Sequence, residues 1–314
     1  MVSWPALGTR VTVRYRRPTG STPPLTDAVG HLLAVDPMVQ VQTKTGTVAE
    51  FTPADVVAIR VLTDAPVRTS QIRALEHAAA AAWPGIEQTW LDGWLLRAGH
   101  GATLGANSAV PLDISANKDT IPSILAWYTR RNLTPRLAIP DRLLRLPAGL
   151  RDEGTERVLV REVCNVPDGE TDPLITMSSQ PDDAWLHVYH RGVSRRIPMD
   201  VIAAVIDGEL IFGAHPGGAV ARAAVTDAPD GARWVGLSAL RVTDDLSAAG
   251  PASRVCEALL GWGARRGATR GYLRVGHGID PQDSGATALA YSLGFRLHHG
   301  TRYVRVQPGS WDTV

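Results

Sequence analysis

Cysteine is nearly absent: Cys164 and Cys256 are the only two among 314 residues. Two isolated thiols build neither a disulfide framework nor a four-thiolate zinc centre, and a reducing, cytoplasmic setting is the expectation. An excess of one charge is also missing. Lys+Arg 32 stand against Asp+Glu 31, a formal net charge of +1. That argues against a global field able to gather a polyanion, and so against nucleic acid as the main partner. No run approaches the roughly 20 apolar residues that cross a bilayer, and no apolar stretch follows a basic one near Met1, so no membrane is expected. The 30 glycines and 22 prolines together make about a sixth of the chain, short of the roughly 25–30% that marks low-complexity disorder. Among the nine histidines only His187/His190 and His298/His299 are close. Neither pair has the carboxylate or cysteine company of a metal motif, and no metal site is expected.

What is present is patterned. The length allows two or three folded units at roughly 100 to 200 residues each. From Gly8 to about Val61 apolar residues alternate, beginning with Val11, Val13 and Tyr15 and continuing through 29–35, 39–43, 47–51 and 56–61. Turn residues at Pro18–Pro24, Asp36-Pro37, Lys44–Gly46 and Thr52–Asp55 separate these runs, which spells five short strands closing a small barrel. The segment resembles an SH3-like barrel, a statement about fold and not about partner. Arg14 and Arg16 fall on the phase that gives a solvated outer face.

Beyond Asp64 the spacing turns to three and four. Ile72, Leu75, Ala79 and Ala82 mark an amphipathic helix that stops at Trp83-Pro84-Gly85. Strands at 94–98 and 106–112 follow, then a helix from near Thr120 with Pro122 in its first turn, where a missing N–H costs nothing. Arg130 and Arg131 would close that helix at its negative end. Residues 133–180 are strand-like and interrupted by proline, with a boundary near 180. The expected division is 1–64, 65–183 and 184–314.

In the last segment, Ile202 to Gly213 reads as a hairpin around Asp207-Gly208. Ala219–Val225 and Arg233–Val242 add two strands. A loop of small residues, Ser247-Ala248-Ala249-Gly250-Pro251-Ala252-Ser253, opens a helix carrying Val255, Cys256, Leu259, Leu260 and Gly263 on one face. Gly271–Val275 is the next strand. Asp283 and Ser284 would cap a helix with Ala286, Leu289, Ala290 and Leu293 on its apolar face, ended by Gly294, and Phe295–Val306 closes the sheet.

Residues 200–306 resemble the GNAT superfamily of acyl-CoA N-acyltransferases in this order of elements and in two motifs. After the strand ending at Val242, Gly250 and Ala252 match the family's loop, with Ser247 where an Arg or Gln is usual. In the closing helix Ala286, Leu289, Gly294 and Phe295 match, while Asp283 replaces an Asn and Ala290 a Tyr, with Tyr291 one position later. Residues 69–135, with Trp83-Pro84, Gly93–Arg97 and Ala106-Asn107-Ser108, are similar to the opening half of such a domain. The resemblance implies an α/β fold, a GNAT-like mixed sheet with flanking helices behind the all-β barrel. A partial unit would precede a complete acyl-CoA-binding one.

The resemblance further implies transfer of an acetyl group from acetyl-CoA to a primary amine, borne by a small molecule or a protein. The helix start at 247–253 would hold the diphosphate, since unbonded N–H groups and the positive end of the helix dipole favour an anion. Gly250 permits close backbone approach and Pro251 gives up only an N–H without helical partner. With Ser247 in place of Arg, Arg254 is the substitute cation. The strand 237–242 would bulge and offer a main-chain N–H near Leu240, Arg241 or Val242 to the thioester oxygen. Asp283 and Ala286 complete the coenzyme set, and Tyr291 is the candidate acid for the leaving thiolate. It stands about 100° around the helix from the usual tyrosine position, and a half-buried packing role is its alternative. With no acidic residue on 235–242, the base is sought at His277, Asp280 or Asp283. The rival reading is an acyl-CoA-binding regulatory protein that has lost catalysis, with the barrel as interaction module.

Overall fold

The structure is a computed structural model. It describes the chain apart from residues 1–3, 6, 63–66, 147–149, 164–171, 192–195, 244–249, 277–280 and 308–314, and apart from the side chains of 281–284. Two compact units are present, Met1–Pro66 with Thr287–Leu297, and Val67–Ala286 with His298–Val314.

The first unit holds the five-stranded antiparallel sheet β1 (Arg10–Arg16), β2 (Leu25–Ala34), β3 (Val39–Thr43), β4 (Val48–Phe51) and β5 (Val56–Val61), in the order β4-β3-β2-β1-β5. Alternation sends Val11, Val13, Leu32, Val39 and Val41 inward, all fully buried. Arg14 stands outside as expected, but it is not merely solvated: its guanidinium donates to both oxygens of Asp27 at 2.8 and 2.9 Å. Residues 287–297 complete this unit. There the ring of Tyr291 is 1% exposed, with its hydroxyl against Gly8. Gly8 has φ +84° and no room for a Cβ beside that oxygen.

In the second unit the elements run α1 (Thr69–Ala82), β6 (Glu87–Leu91), β7 (Trp94–Ala98), β8 (Ala109–Pro111), α2 (Ile121–Thr129), β9 (Arg136–Pro140), β10 (Arg151–Glu162), β11 (Thr176–Ser178), α3 (Asp183–Tyr189) and α4 (Met199–Ile202). They continue as β12 (Glu209–His215), β13 (Ala219–Asp227), β14 (Arg233–Val242), α5 (Pro251–Arg265), β15 (Arg270–Gly276), α6 (Pro281–Ser292, shared between the units) and β16 (Arg296–Arg305). One 11-stranded sheet has the order β11-β12-β13-β14-β15-β10-β16-β9-β8-β7-β6. Its centre is an exchange. β15 pairs antiparallel with β10 from mid-chain, and the final strand β16 pairs antiparallel with β9. The segments before and after residue 183 therefore share one hydrogen-bonded ladder.

Strand alternation sends side chains to both faces. On one, Leu75, Ala78, Ala79 and Ala82 of α1 pack with Val158, Val160, Ala224, Trp234 and Tyr272. On the other lies α5, brought close by glycines: a Cβ on Gly263 would stand 2.5 Å from Val235, and one on Gly271 2.8 Å from Leu260. Each fully buried aliphatic side chain, such as Leu75 or Leu259, contributes about 1.5–3 kcal/mol over an exposed one.

The sequence pattern misleads at 202–213. No hairpin forms there; 199–202 is a turn of helix behind Pro198, and only Glu209–His215 is a strand. A short apolar run fits a buried helix turn as well as a strand. The carbonyls that a ladder would use are taken by Arg222, which bonds the oxygens of Ile202 and Ala204 at 2.8 and 2.6 Å. Helix α3 went unread, although its N-cap Asp182 accepts from the Trp185 N–H at 2.7 Å. Arg131 does more than close a helix, since it ion-pairs with Glu87 and covers the Trp127 ring.

Candidate active site

Strand β14 opens the site. It pairs in parallel with β15 only from Trp234/Arg270 to Leu237/Leu273, although β14 runs on to Val242 and β15 to Gly276. Past Leu237 the two edges have no paired residues. On its other side β14 pairs with β13, and the register slips between Val220 and Arg222, so that Ala221 faces both Ala239 and Leu240. This is a β-bulge. Ala239 sits at its centre with φ +53°, a region a non-glycine residue occupies only under constraint. The expected bulge in 237–242 is therefore present, and it frees main-chain groups of Ser238–Leu240 from the β15 ladder. Leu240 and Val242 are half-buried. Arg241 is exposed, with its guanidinium over the Tyr189 ring at 5.6 Å.

The bulge rests on a buried cation. Arg222 is 1% exposed and donates to the carbonyls of Ile202, Ala82 and Ala204 and, at 3.2 Å, to the Ser238 hydroxyl. It also stacks over Trp83. Burial depresses its guanidinium to about 10, so it stays charged at neutral pH with carbonyl dipoles in place of a carboxylate.

Next to this strand end lies the start of α5. Gly250 is the N-cap in extended conformation and Pro251 is the first helical residue. The Gly250 carbonyl accepts from the Ser253 N–H at 3.1 Å, which leaves the Ala252 N–H as the first-turn donor without a bond among the described residues. A feature that sequence reading missed completes the corner. The turn His215–Gly218 packs here: a Cβ on Gly217 would lie 2.7 Å from the Pro251 ring, and the Thr243 N–H donates to the Gly218 carbonyl at 2.9 Å. Consecutive glycines at 217–218 were the available signal. Arg254, the substitute cation, is engaged by Asp172 at 3.2 Å.

The remaining expectations divide. Ser247, Ala248 and Ala249, like His277 and Asp280, lie outside the described residues, as does the Asp283 side chain. Ala286 is half-buried on α6. Tyr291 lies in the barrel's unit against Gly8. Cys256 is buried, and desolvation raises its thiol to about 12, so it is a packing group.

A second cluster, unread from the sequence, occupies the α1 face beside β15. Glu76 of α1 is 4% exposed at its side chain and receives Arg274 at 2.6 Å and His299 at 2.8 Å. Burial alone would raise its carboxyl, but the Arg274 guanidinium and the hydrogen bond with His299 hold it well below the ordinary range. Burial alone would likewise weaken Arg274, and Glu76 outweighs it. Arg274 also reaches Glu156 at 3.4 Å, and the Tyr303 hydroxyl donates to Glu156 Oε2 at 2.9 Å. His298 and His299 meet through their Nδ1 atoms at 2.7 Å. These residues come from α1, β10, β15 and β16, which no sequence spacing could join.

A strand that splays from its parallel neighbour at a bulge, followed by a glycine-proline helix start, defines an acyl-CoA-using acetyltransferase of the GNAT fold. The GCN5-related N-acetyltransferase from Kribbella flavida has the same fold, with a TM-score of 0.51 at 15% identity over 76% of this chain and 95% of its own. A GNAT-family acetyltransferase structure from Novosphingobium aromaticivorans is also similar, at 16% identity and TM-score 0.47 over 74% and 99%. The chain belongs to the family described as "Probable histone acetyltransferase Rv0428c C-terminal", whose model matches residues 69–304. Residues 5–60 match "Rv0428c N-terminal Sm-like domain", so the barrel's family is Sm-like where an SH3-like one was expected. The Mycobacterium tuberculosis protein named "Probable histone acetyltransferase Rv0428c" is 67% identical over 314 residues, all of both chains.

Proposed function

We propose that this acetyltransferase moves an acetyl group from acetyl-CoA to a primary amine by direct attack in a ternary complex, and that the amine is a lysine side chain of a protein. The bulged, splayed end of β14 beside Gly250-Pro251 carries the first half of this reading. The second half is supported by the name of the mycobacterial relative.

When bound, acetyl-CoA supplies the thioester. The Ala252 N–H and the positive end of α5 face its diphosphate, and Gly250 lets the backbone approach it closely. A main-chain N–H at Ser238–Val242 polarises the thioester carbonyl, and buried Arg222 behind Ser238 adds positive potential on the same side. Tyr291, turned against Gly8, acts as a packing residue.

Titration calorimetry with acetyl-CoA tests the coenzyme, and release of free thiol with a lysine-bearing histone-tail peptide tests the transfer. Saturable heat with peptide-dependent thiol release is expected, and Gly250→Trp should lower coenzyme affinity at least tenfold. No heat at millimolar acetyl-CoA would reject the reading. Binding without thiol release across peptides and polyamines would favour the coenzyme-binding regulator instead.

A further inference from the structure

Amine acetylation needs a group that takes a proton from the acceptor ammonium, because only the neutral amine has a lone pair to attack. The α5 face of the splay is where the proposed reading seats the coenzyme, so the acceptor must come from the face covered by α1. On that face the strands present Ser238 and Gly236 of β14, Tyr272 and Arg274 of β15, and Glu156 of β10. Glu156 is the Cα partner of Gly276, three residues past the last β14–β15 pair at Leu273. It therefore sits level with the open end of the splay and not under its closed end.

We propose that Glu156 is the general base for the acceptor amine. This rests on the acetyl transfer proposed above. Its carboxylate is built for the task. Oε2 is fixed by the Tyr303 hydroxyl and by Arg274, while Oε1 accepts no hydrogen bond among the described residues. The side chain is 24% exposed, against 4% for Glu76 in the same network. Glu76 is excluded as the base because its side chain is buried and held by Arg274 and His299. The groups facing Glu156 are Arg274 from β15 and Tyr303 from β16, with Glu76 of α1 and His299 of β16 behind Arg274. Arg274 disfavours a second positive charge nearby, so an ammonium group entering there gives up its proton more readily.

The step balances. Glu156 Oε1 takes one proton from the ammonium, and the amine nitrogen forms a bond to the acetyl carbon. The carbon–sulfur bond breaks with its electron pair on sulfur, which receives the second nitrogen proton. Glu156 then releases its proton to water. Because β10 belongs to the mid-chain segment, the strand exchange supplies the C-terminal acyl site with a carboxylate that β14 and β15 lack.

The test compares Glu156→Gln and Glu156→Asp with the wild-type full chain, using acetyl-CoA and a lysine-bearing histone-tail peptide. In Glu156→Gln, kcat/KM for the peptide should fall at least 100-fold and its acid limb against pH should disappear, while the acetyl-CoA Kd stays within twofold. Glu156→Asp should recover part of the rate. Tyr303→Phe, as the positioning residue, should shift the acid limb with a smaller loss. A Glu156→Gln rate within fivefold of wild type, or a retained acid limb, overturns the base. A wild-type chain that binds no acetyl-CoA overturns the proposed function, and this assignment with it.

Discussion

Glu76 shows what burial does to one carboxylate. Water is gone from around it, yet Arg274 and His299 keep it ionised, so its folded-state pKa lies below the unfolded value. The sign follows from proton binding. As pH falls below the ordinary carboxylate range the unfolded chain takes up a proton that the folded chain refuses, and stability is lost in acid. Glu76→Gln should cost about 3–5 kcal/mol at pH 7, the usual result of breaking one side of a buried ion pair. Below about pH 5, where the unfolded carboxyl titrates, the gap to wild type should narrow. Urea denaturation at several pH values measures both, and a constant gap would show that the pair does not titrate with folding. Tyr291 gives the opposite case, an ionisable group read here as packing. Tyr291→Phe should leave turnover within twofold, whereas Gly8→Ala should lower the thermal midpoint by several degrees, because its Cβ meets the hydroxyl and its φ is positive. A large loss of turnover in Tyr291→Phe would return the hydroxyl to the mechanism. Neither role was legible from sequence: Glu76 lies on α1 and its partners 198 and 223 residues further on.

Among the elements, α5 and the bounds of β14 were legible in the sequence, and α3 was not. Residues 255, 256, 259, 260 and 263 follow the helical period, and all five are buried. Gly263 is needed where α5 crosses Val235, so Gly263→Ala should destabilise the chain by about 1–3 kcal/mol through overpacking. Chemical denaturation decides this, and an unchanged midpoint would mean the helix shifts freely. The bulge in β14 has no side-chain signature. Leu237–Val242 would pair evenly as well as bulge, and the slip is set by Arg222 drawing Ser238 toward the carbonyls after α4. The 202–213 hairpin was misread for the same reason, since Arg222 claims the backbone oxygens that a ladder would have used.

Across the molecule, the first unit takes in residues 287–297 from the far end of the chain. Removing residues 1–66 should therefore expose the helix end that carries Tyr291. A chain beginning at Val67 should aggregate or bind a hydrophobic dye, and it should melt below the full-length chain; a midpoint equal to the full-length value would show that 287–297 stands without the barrel. The exchange of β10 and β16 has the same character at larger range. Alternation marked both as strands, but only the packed sheet assigned each to the other's half.

Local periodicity by itself determined the barrel strands, α1, α5 and the glycine-proline helix start, because each depends on neighbours within a few residues. Tertiary structure alone decided the bulge, the burial of Tyr291 and the Glu76–Arg274–His299–Glu156 cluster. These depend on charges and carbonyls up to 223 residues apart, brought together only when buried polar groups must find partners.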